Sequence, residues 1–215
     1  MRLGLLGGTF DPIHRGHLEM AETAIRVARL NAVYFVTSVN PPHKGDRTHA
    51  NFLDRHAMVA LALSGRPKLI PSSVEYDRSG KSYSIDTLLQ FREMAGSAGE
   101  IFFLIGMDAF LDIPTWKDFR RFPELCSFLV FGRPGYKENQ RNERLPDTFR
   151  LEKVRLNTAG EATDLAKRGL FLLQDFSSAV SSTKIRELIR KQLPAEQWLP
   201  AGVQEYISKT KLYSS

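Results

Sequence analysis

A single cysteine, Cys126, in 215 residues excludes an internal disulfide and points to a reducing compartment. Its surroundings, ELCSFLVF, are apolar, so the thiol reads as buried and chemically idle. Long apolar runs are missing as well. Nothing approaches the ~20 residues of a membrane-spanning helix, and the opening MRLGLLGG lacks the length and cleavage pattern of a signal peptide, so the expected compartment is the cytoplasm. No cluster of Cys, His and Glu offers the three or four ligands a zinc site needs, and no protein-held metal is expected. Blocks of one charge sign are also absent. The 30 Lys+Arg and 24 Asp+Glu leave a formal net charge of +6, yet acids sit among the bases even in KENQRNERLPDTFRLEKVR. The excess implies an anionic partner, while its scatter argues against nucleic acid or a membrane surface and for a phosphorylated small molecule.

What is present alternates. Short apolar runs rich in branched and aromatic residues, RLGLL, AVYFVTS, KLIPSSVE, EIFFLIG, SFLVFG and GLFLLQ, read as buried strands. Between them the spacing is helical: Leu18, Ala21, Ile25 and Ala28 share a face, as do Leu53, Met58, Leu61 and Ala62, then Ile85, Leu88, Leu89 and Met94. Alternating strands and helices predict an open, Rossmann-like, doubly wound α/β fold with a mostly parallel sheet, helices on both faces and ligands beyond the carboxyl ends of its strands. Length favours a single domain over residues 1–215, ending in a helical segment over about 181–215 in which Pro200 takes a first helical position. The polar stretch 133–168 reads as a long surface excursion with room for a short helix.

The turn after the first run, GGTFDPIHRGH, matches neither the dinucleotide pattern G-x-G-x-x-G nor the P-loop, because Gly7 and Gly8 are adjacent and no lysine follows. The physical logic is related. Gly7 and Gly8 allow a close ligand approach, and Gly16 lies where a helix begins, whose unpaired N–H groups favour an anion. His14 just before that helix and His17 in its first turn can aim at one phosphate. On these residues alone, helix caps, surface histidines or part of a zinc site remain alternatives. A second segment, SSAVSSTKIREL, places hydroxyls and Arg186 at another helix start. Alone it is a capped helix; with the first turn it offers a second set of donors to a polyphosphate.

GGTFDPIHRGH together with SSTKIR resembles the signature of the nucleotidyltransferase superfamily. NPPHK, RSGKSYSIDTL, FLIGMDAF followed by Trp116, and the closing LPAGVQEYISKTKLY resemble one of its families, the bacterial nicotinate mononucleotide adenylyltransferases, in order along nearly the whole chain. The resemblance implies an enzyme of NAD biosynthesis that joins ATP and nicotinate mononucleotide into nicotinate adenine dinucleotide and pyrophosphate. It implies catalytic roles for His14, His17 and Arg186. ATP would be held by Gly7, Gly8, Thr9, Phe10, His14, His17, Gly106, Asp108, Ser181, Ser182, Thr183 and Arg186. Mg²⁺ would bridge the triphosphate oxygens, mostly through water. Asn40, Lys44, Thr87, Trp116 and Arg133 would serve the mononucleotide.

Each of these assignments has a plainer alternative. Lys44 reads equally as a solvated loop lysine, Asp108 as a helix cap, and Trp116 as a core aromatic that could otherwise stack on a pyridine ring. Thr87, in the first turn of SIDTLLQF, could present N–H groups and a hydroxyl to a carboxylate, but Asp86 in the same turn would repel one unless it points away. The nearest rival is another nucleotidyltransferase acting on nicotinamide mononucleotide or phosphopantetheine; a nucleic-acid binder is the rival from a different class. A homo-oligomer is compatible with the sequence.

Overall fold

Each of the six apolar runs is a strand: β1 (Arg2–Gly8), β2 (Ala32–Thr37), β3 (Leu69–Ser72), β4 (Glu100–Gly106), β5 (Ser127–Phe131) and, after β6 (Lys153–Leu156), β7 (Leu170–Leu173). The computed structural model describes residues 1–40, 48–78, 80–132, 168–173, 176 and 180–214, and the backbone of 153–156. The principal helices are α1 (Arg15–Ala28), α2 (Phe52–Leu63), α3 (Ser84–Ala95), α4 (Met107–Leu111), α5 (Phe122–Leu125), α6 (Ser182–Arg190) and α7 (Ala201–Thr210). The seven strands form one sheet in the order β3-β2-β1-β4-β5-β7-β6. The pairs β1/β4, β4/β5, β5/β7 and β6/β7 run parallel. This is the expected doubly wound α/β architecture. Among the described residues no helix is long and apolar enough to cross a membrane.

β6 corrects the reading of residues 133–168 as a strandless excursion. Lys-Val-Arg-Leu alternates polar and apolar over only four residues inside the most polar part of the chain, too short a signal to separate from loop. The sheet places it at an edge, paired only with β7. The short helix allowed for in this stretch falls outside the described residues.

The chain divides into two compact units, each assembled from separate stretches: Met1–Leu6, Met20–Val33 and Tyr83–Ser178 in one, Gly7–Glu19, Tyr34–Ser82 and Ala179–Ser215 in the other. In the first, every residue of β5 is buried and β4 is buried from Ile101 to Ile105, which is why both read as unbroken apolar runs rather than alternating ones. Gly4 is required by packing: a Cβ there would meet Val33 at 2.8 Å and Leu30 at 2.9 Å. Phe103, Phe122 and Phe128 form an aromatic cluster with centroid separations of 5.8 to 6.1 Å. Cys126 is buried, with its thiol directed to the Phe122 carbonyl at 3.5 Å, and burial pushes its pKa up, as an idle thiol requires. On α3 the buried residues are Ile85, Thr87, Leu88 and Phe91, while Met94, expected on that face, is 58% exposed.

In the second unit the correction is larger. Leu53 and Leu61 of α2 are 65% and 42% exposed, and the inward face is Arg55, Met58, Val59, Ala62 and Leu63. An arginine at the centre of a buried stripe shifts the apparent centre of an amphipathic helix, because apolar periodicity counts it as polar. Helix α7 packs on α2, where Gly202 lies against Leu61 and the Tyr206 hydroxyl donates to Asp54 at 2.8 Å. Pro200 is its N-cap rather than its first residue. Two truncations should separate the two faces of α2 in chemical denaturation. Met58→Ala is expected to cost about 2–5 kcal/mol. Leu53→Ala should change stability by no more than about 0.5 kcal/mol, as at an ordinary surface position.

Candidate active site

The glycine-rich turn is built on a strained residue. Phe10 takes φ +51°, a left-handed conformation that costs a bulky side chain about 1–3 kcal/mol and persists only where its surroundings enforce it. Its buried ring is edge-on to His17, with centroids 5.1 Å apart, and lies 5.7 Å from Phe35. His14 is stacked on His17 at 3.7 Å. The His14 backbone N–H donates to Nδ1 of His17 at 3.2 Å, so Nδ1 is the acceptor and the His17 ring carries its proton on Nε2. Both imidazoles sit at the start of α1, as their spacing implied.

Arg186, 175 residues away in sequence, reaches this turn: Nη1 donates to the Asp11 carbonyl at 2.6 Å, and Nη2 donates to Thr183 Oγ1 at 3.2 Å. The Ser182 hydroxyl donates to the Pro12 carbonyl at 2.9 Å. Ser181 is the N-cap of α6, accepting from the Lys184 N–H at 3.2 Å. The structure thus brings the two signature segments together through backbone carbonyls. Beside Arg186 lies a cleft of about 130 Å³ lined by His49, Thr183, Arg186, Glu187, Arg190 and Tyr213.

Asn40 follows β2 and is exposed; its N–H and that of Val39 both donate to the Ser82 hydroxyl, at 3.0 and 3.1 Å. Lys44 and Arg133 fall outside the described residues. The remaining assigned residues lie in the other unit. Gly106 is the N-cap of α4, and Asp108 is the second residue of that helix and exposed, so the alternative of Asp108 as a cap does not hold. Trp116 is half-buried with Phe103 and Phe122 against its edges at 6.0 and 5.9 Å, which makes it partly a core aromatic. Thr87 is buried in the first turn of α3. The N–H groups of Asp86 and Thr87 reach the Tyr83 carbonyl at 3.1 and 3.4 Å, so two of the donors expected to face a carboxylate are already used. Asp86 is bound by Lys117 at 3.1 and 3.2 Å, and that ammonium lies 4.8 Å from the centre of the Tyr83 ring. The pairing removes much of the repulsion Asp86 would exert.

Residues without an assignment turn out to organise the glycine-rich turn. The Asp11 carboxylate accepts from the N–H groups of His49 at 2.8 Å and Ala50 at 3.2 Å and from the Tyr213 hydroxyl at 2.7 Å. Arg55 donates to four carbonyls, among them those of Thr9 and Ser38, each at 2.7 Å. One signal was available for Arg55, its place at helical spacing with Met58, Val59 and Ala62. Nothing local marks the pairing of Asp11 with Tyr213, because the two are distant in sequence.

The cytidylyltransferase-like family model matches residues 5–188. A protein of Thermoanaerobacter sp. (strain X514) named "Probable nicotinate-nucleotide adenylyltransferase" is 37% identical over 213 residues, covering 99% of this chain and 94% of the relative. One of the same name from Moorella thermoacetica is 38% identical over 212 residues, covering 99% and 91%. Among solved structures, Plasmodium falciparum nicotinic acid mononucleotide adenylyltransferase complexed with NaAD superposes with a TM-score of 0.73 over 99% of this chain and 97% of that one. At 17% identity that likeness concerns the fold. Motif geometry, fold and full-length identity converge: the chain belongs to the cytidylyltransferase-like family, and within it to the nicotinate-nucleotide adenylyltransferases.

Proposed function

We propose that this chain catalyses adenylyl transfer from ATP to nicotinate mononucleotide in the cytoplasm, giving nicotinate adenine dinucleotide and pyrophosphate. The observation that carries the reading is the stacked His14–His17 pair at the N-terminus of α1, on the same turn whose carbonyls anchor Arg186 and Ser182. The names of the full-length relatives support the substrate. A phosphate monoester has its second pKa near 6, so at neutral pH the mononucleotide phosphate is largely dianionic and attacks without a general base. One of its oxygens bonds to the α-phosphorus of ATP, the bond from that phosphorus to the oxygen bridging to the β-phosphate breaks, and pyrophosphate leaves. The work left to the protein is positioning and charge stabilisation.

His17, with its proton on Nε2, donates to the phosphates, and His14 is held in register by the stack. Arg186, Ser182 and Thr183 serve the departing pyrophosphate end. Gly7, Gly8, Thr9 and Phe10 line the nucleotide through their backbone, with Ser181 holding the start of α6. Nucleotidyltransferases of this family generally use a divalent metal with ATP. The groups gathered on the turn are imidazole, guanidinium and hydroxyl donors, which suit phosphate oxygens rather than a cation. They therefore fit Mg²⁺ carried on the triphosphate, where it would neutralise the oxygens of the leaving group. Gly106 and Asp108 belong to the ATP side, the latter toward ribose hydroxyls. Asn40, Lys44, Thr87, Trp116 and Arg133 belong to the mononucleotide.

Pyrophosphate release from ATP with a panel of mononucleotides tests the substrate. Hydrogen bonds to a carboxylate exceed those to a carboxamide, whose NH₂ would face donors, so kcat/KM should favour nicotinate over nicotinamide mononucleotide by at least about 10². Equal efficiency, or turnover of phosphopantetheine instead, would reject the reading. Lys117→Met should narrow the preference by uncovering Asp86. His17→Ala should lower kcat by about 10² to 10³ with little change in either KM, as when one preorganised donor is lost; unchanged turnover would remove its role.

A further inference from the structure

The closing LPAGVQEYISKTKLY takes no part in the chemistry described above, yet its last tyrosine ends at the phosphate-binding turn. Lys211, the left-handed C-cap of α7, ends that helix, and Tyr213 beyond it has φ +65°, a conformation uncommon for a bulky side chain. The bend returns the Tyr213 ring to a buried position, 9% exposed, with its hydroxyl 2.7 Å from Asp11 Oδ1. Asp11 is itself 3% exposed and takes its other hydrogen bonds from two backbone N–H groups preceding α2. A carboxylate can accept all three donors at once, whereas an amide would turn its NH₂ on one of them. The same residue offers its main-chain carbonyl to Arg186, and Tyr213 and Arg186 line one cleft.

We propose that Tyr213 is a positioning residue for adenylyl transfer: its hydroxyl bonds to Asp11 and thereby fixes the turn that leads into His14 and His17 and whose carbonyls receive Arg186 and Ser182. Burial and the bond to Asp11 both push the phenol pKa up, so the hydroxyl stays protonated and donating throughout the working range of the enzyme. Tyr213 acts at one remove, through Asp11, so its loss should misplace donors rather than delete one. The inference rests on the adenylyl-transfer reading for its kinetic readout, and a second readout is independent of the substrate.

The test is Tyr213→Phe, which keeps the ring and removes only the hydroxyl. Expected are a kcat for pyrophosphate release lowered by about 10-fold or more, since small displacements of catalytic groups can cost up to about 10², nearly unchanged KM values, and a shift of the His14 and His17 ring resonances in the ligand-free enzyme. A staple with no positioning role would lower the melting temperature and leave kcat per folded enzyme and the ring resonances alone, and that result would overturn the proposal. A fall in kcat with unmoved resonances would also overturn it, by pointing to direct contact with substrate. If wild-type enzyme releases no pyrophosphate, the substrate reading fails, while the resonances still decide whether Tyr213 sets the turn. Asp11→Asn supplies the second variant: it should shift the same resonances and lower kcat, which stands as the test by itself should Tyr213→Phe not fold, and where both fold, adding Tyr213→Phe to it should do little more. Wild-type kcat and resonances in Asp11→Asn, or additive losses in the double variant, would reject the coupling.

Discussion

The second unit is organised around one buried cation. Arg55 is 1% exposed, and its guanidinium donates to the carbonyls of Ala50 at 3.1 Å, Thr9 at 2.7 Å, Ser38 at 2.7 Å and Val39 at 3.5 Å. Those carbonyls come from the turn after β1, the end of β2 and the approach to α2. A charge taken out of water is tolerated only when fixed dipoles replace its hydration. Burial lowers the Arg55 pKa and the neighbouring Asp11 opposes that, but an arginine starts so high that it remains a cation. The planar fork of donors therefore dictates where three loops run. A lysine, with a compact ammonium, could not meet the same carbonyls in one plane.

Several of the contacts that assemble the site are made to the main chain. Arg186 and Ser182 donate to backbone carbonyls of the glycine-rich turn, and Ser82 accepts from two backbone N–H groups after β2. The side chains with chemistry ride on a path set by backbone bonds. Such a scaffold suits a reaction whose nucleophile arrives already ionised, because the advantage an enzyme can add lies in preorganised donors rather than in proton abstraction. The strain at Phe10 belongs to the same economy: the left-handed turn that costs energy there also seats its ring under His17.

Electrostatic compensation recurs in the other unit on a smaller scale. Asp86 in the first turn of α3 is matched by Lys117, whose ammonium also rests over Tyr83. Both side chains are more than a third exposed, so the pair contributes little to stability. Its effect falls on the local field at the start of α3.

Strand content, the alternating α/β pattern and the two signature turns were legible because each depends on residues adjacent in sequence: an apolar run buried on both faces, a glycine pair, histidines three apart, a hydroxyl before a helix. The pairing of those turns was expected from their chemistry, and the hydrogen bonds from Arg186 and Ser182 to Asp11 and Pro12 express it. Legibility failed where a residue's role depends on a distant partner. The inward face of α2 was misplaced because its central residue is an arginine whose acceptors lie on other segments. Edge strand β6 was missed because a polar tetrapeptide becomes a strand only when a neighbour offers a ladder. Asp11 and Tyr213 lie in segments that carry the resemblance, but nothing local marks their pairing across 202 residues. Sequence alone determined the strands and the two donor-bearing turns, because apolar runs and spacings are local properties, and its resemblance to a family implied their chemistry; the tertiary structure decided which residues hold those donors in place, because a buried polar group must find its partners wherever folding brings them.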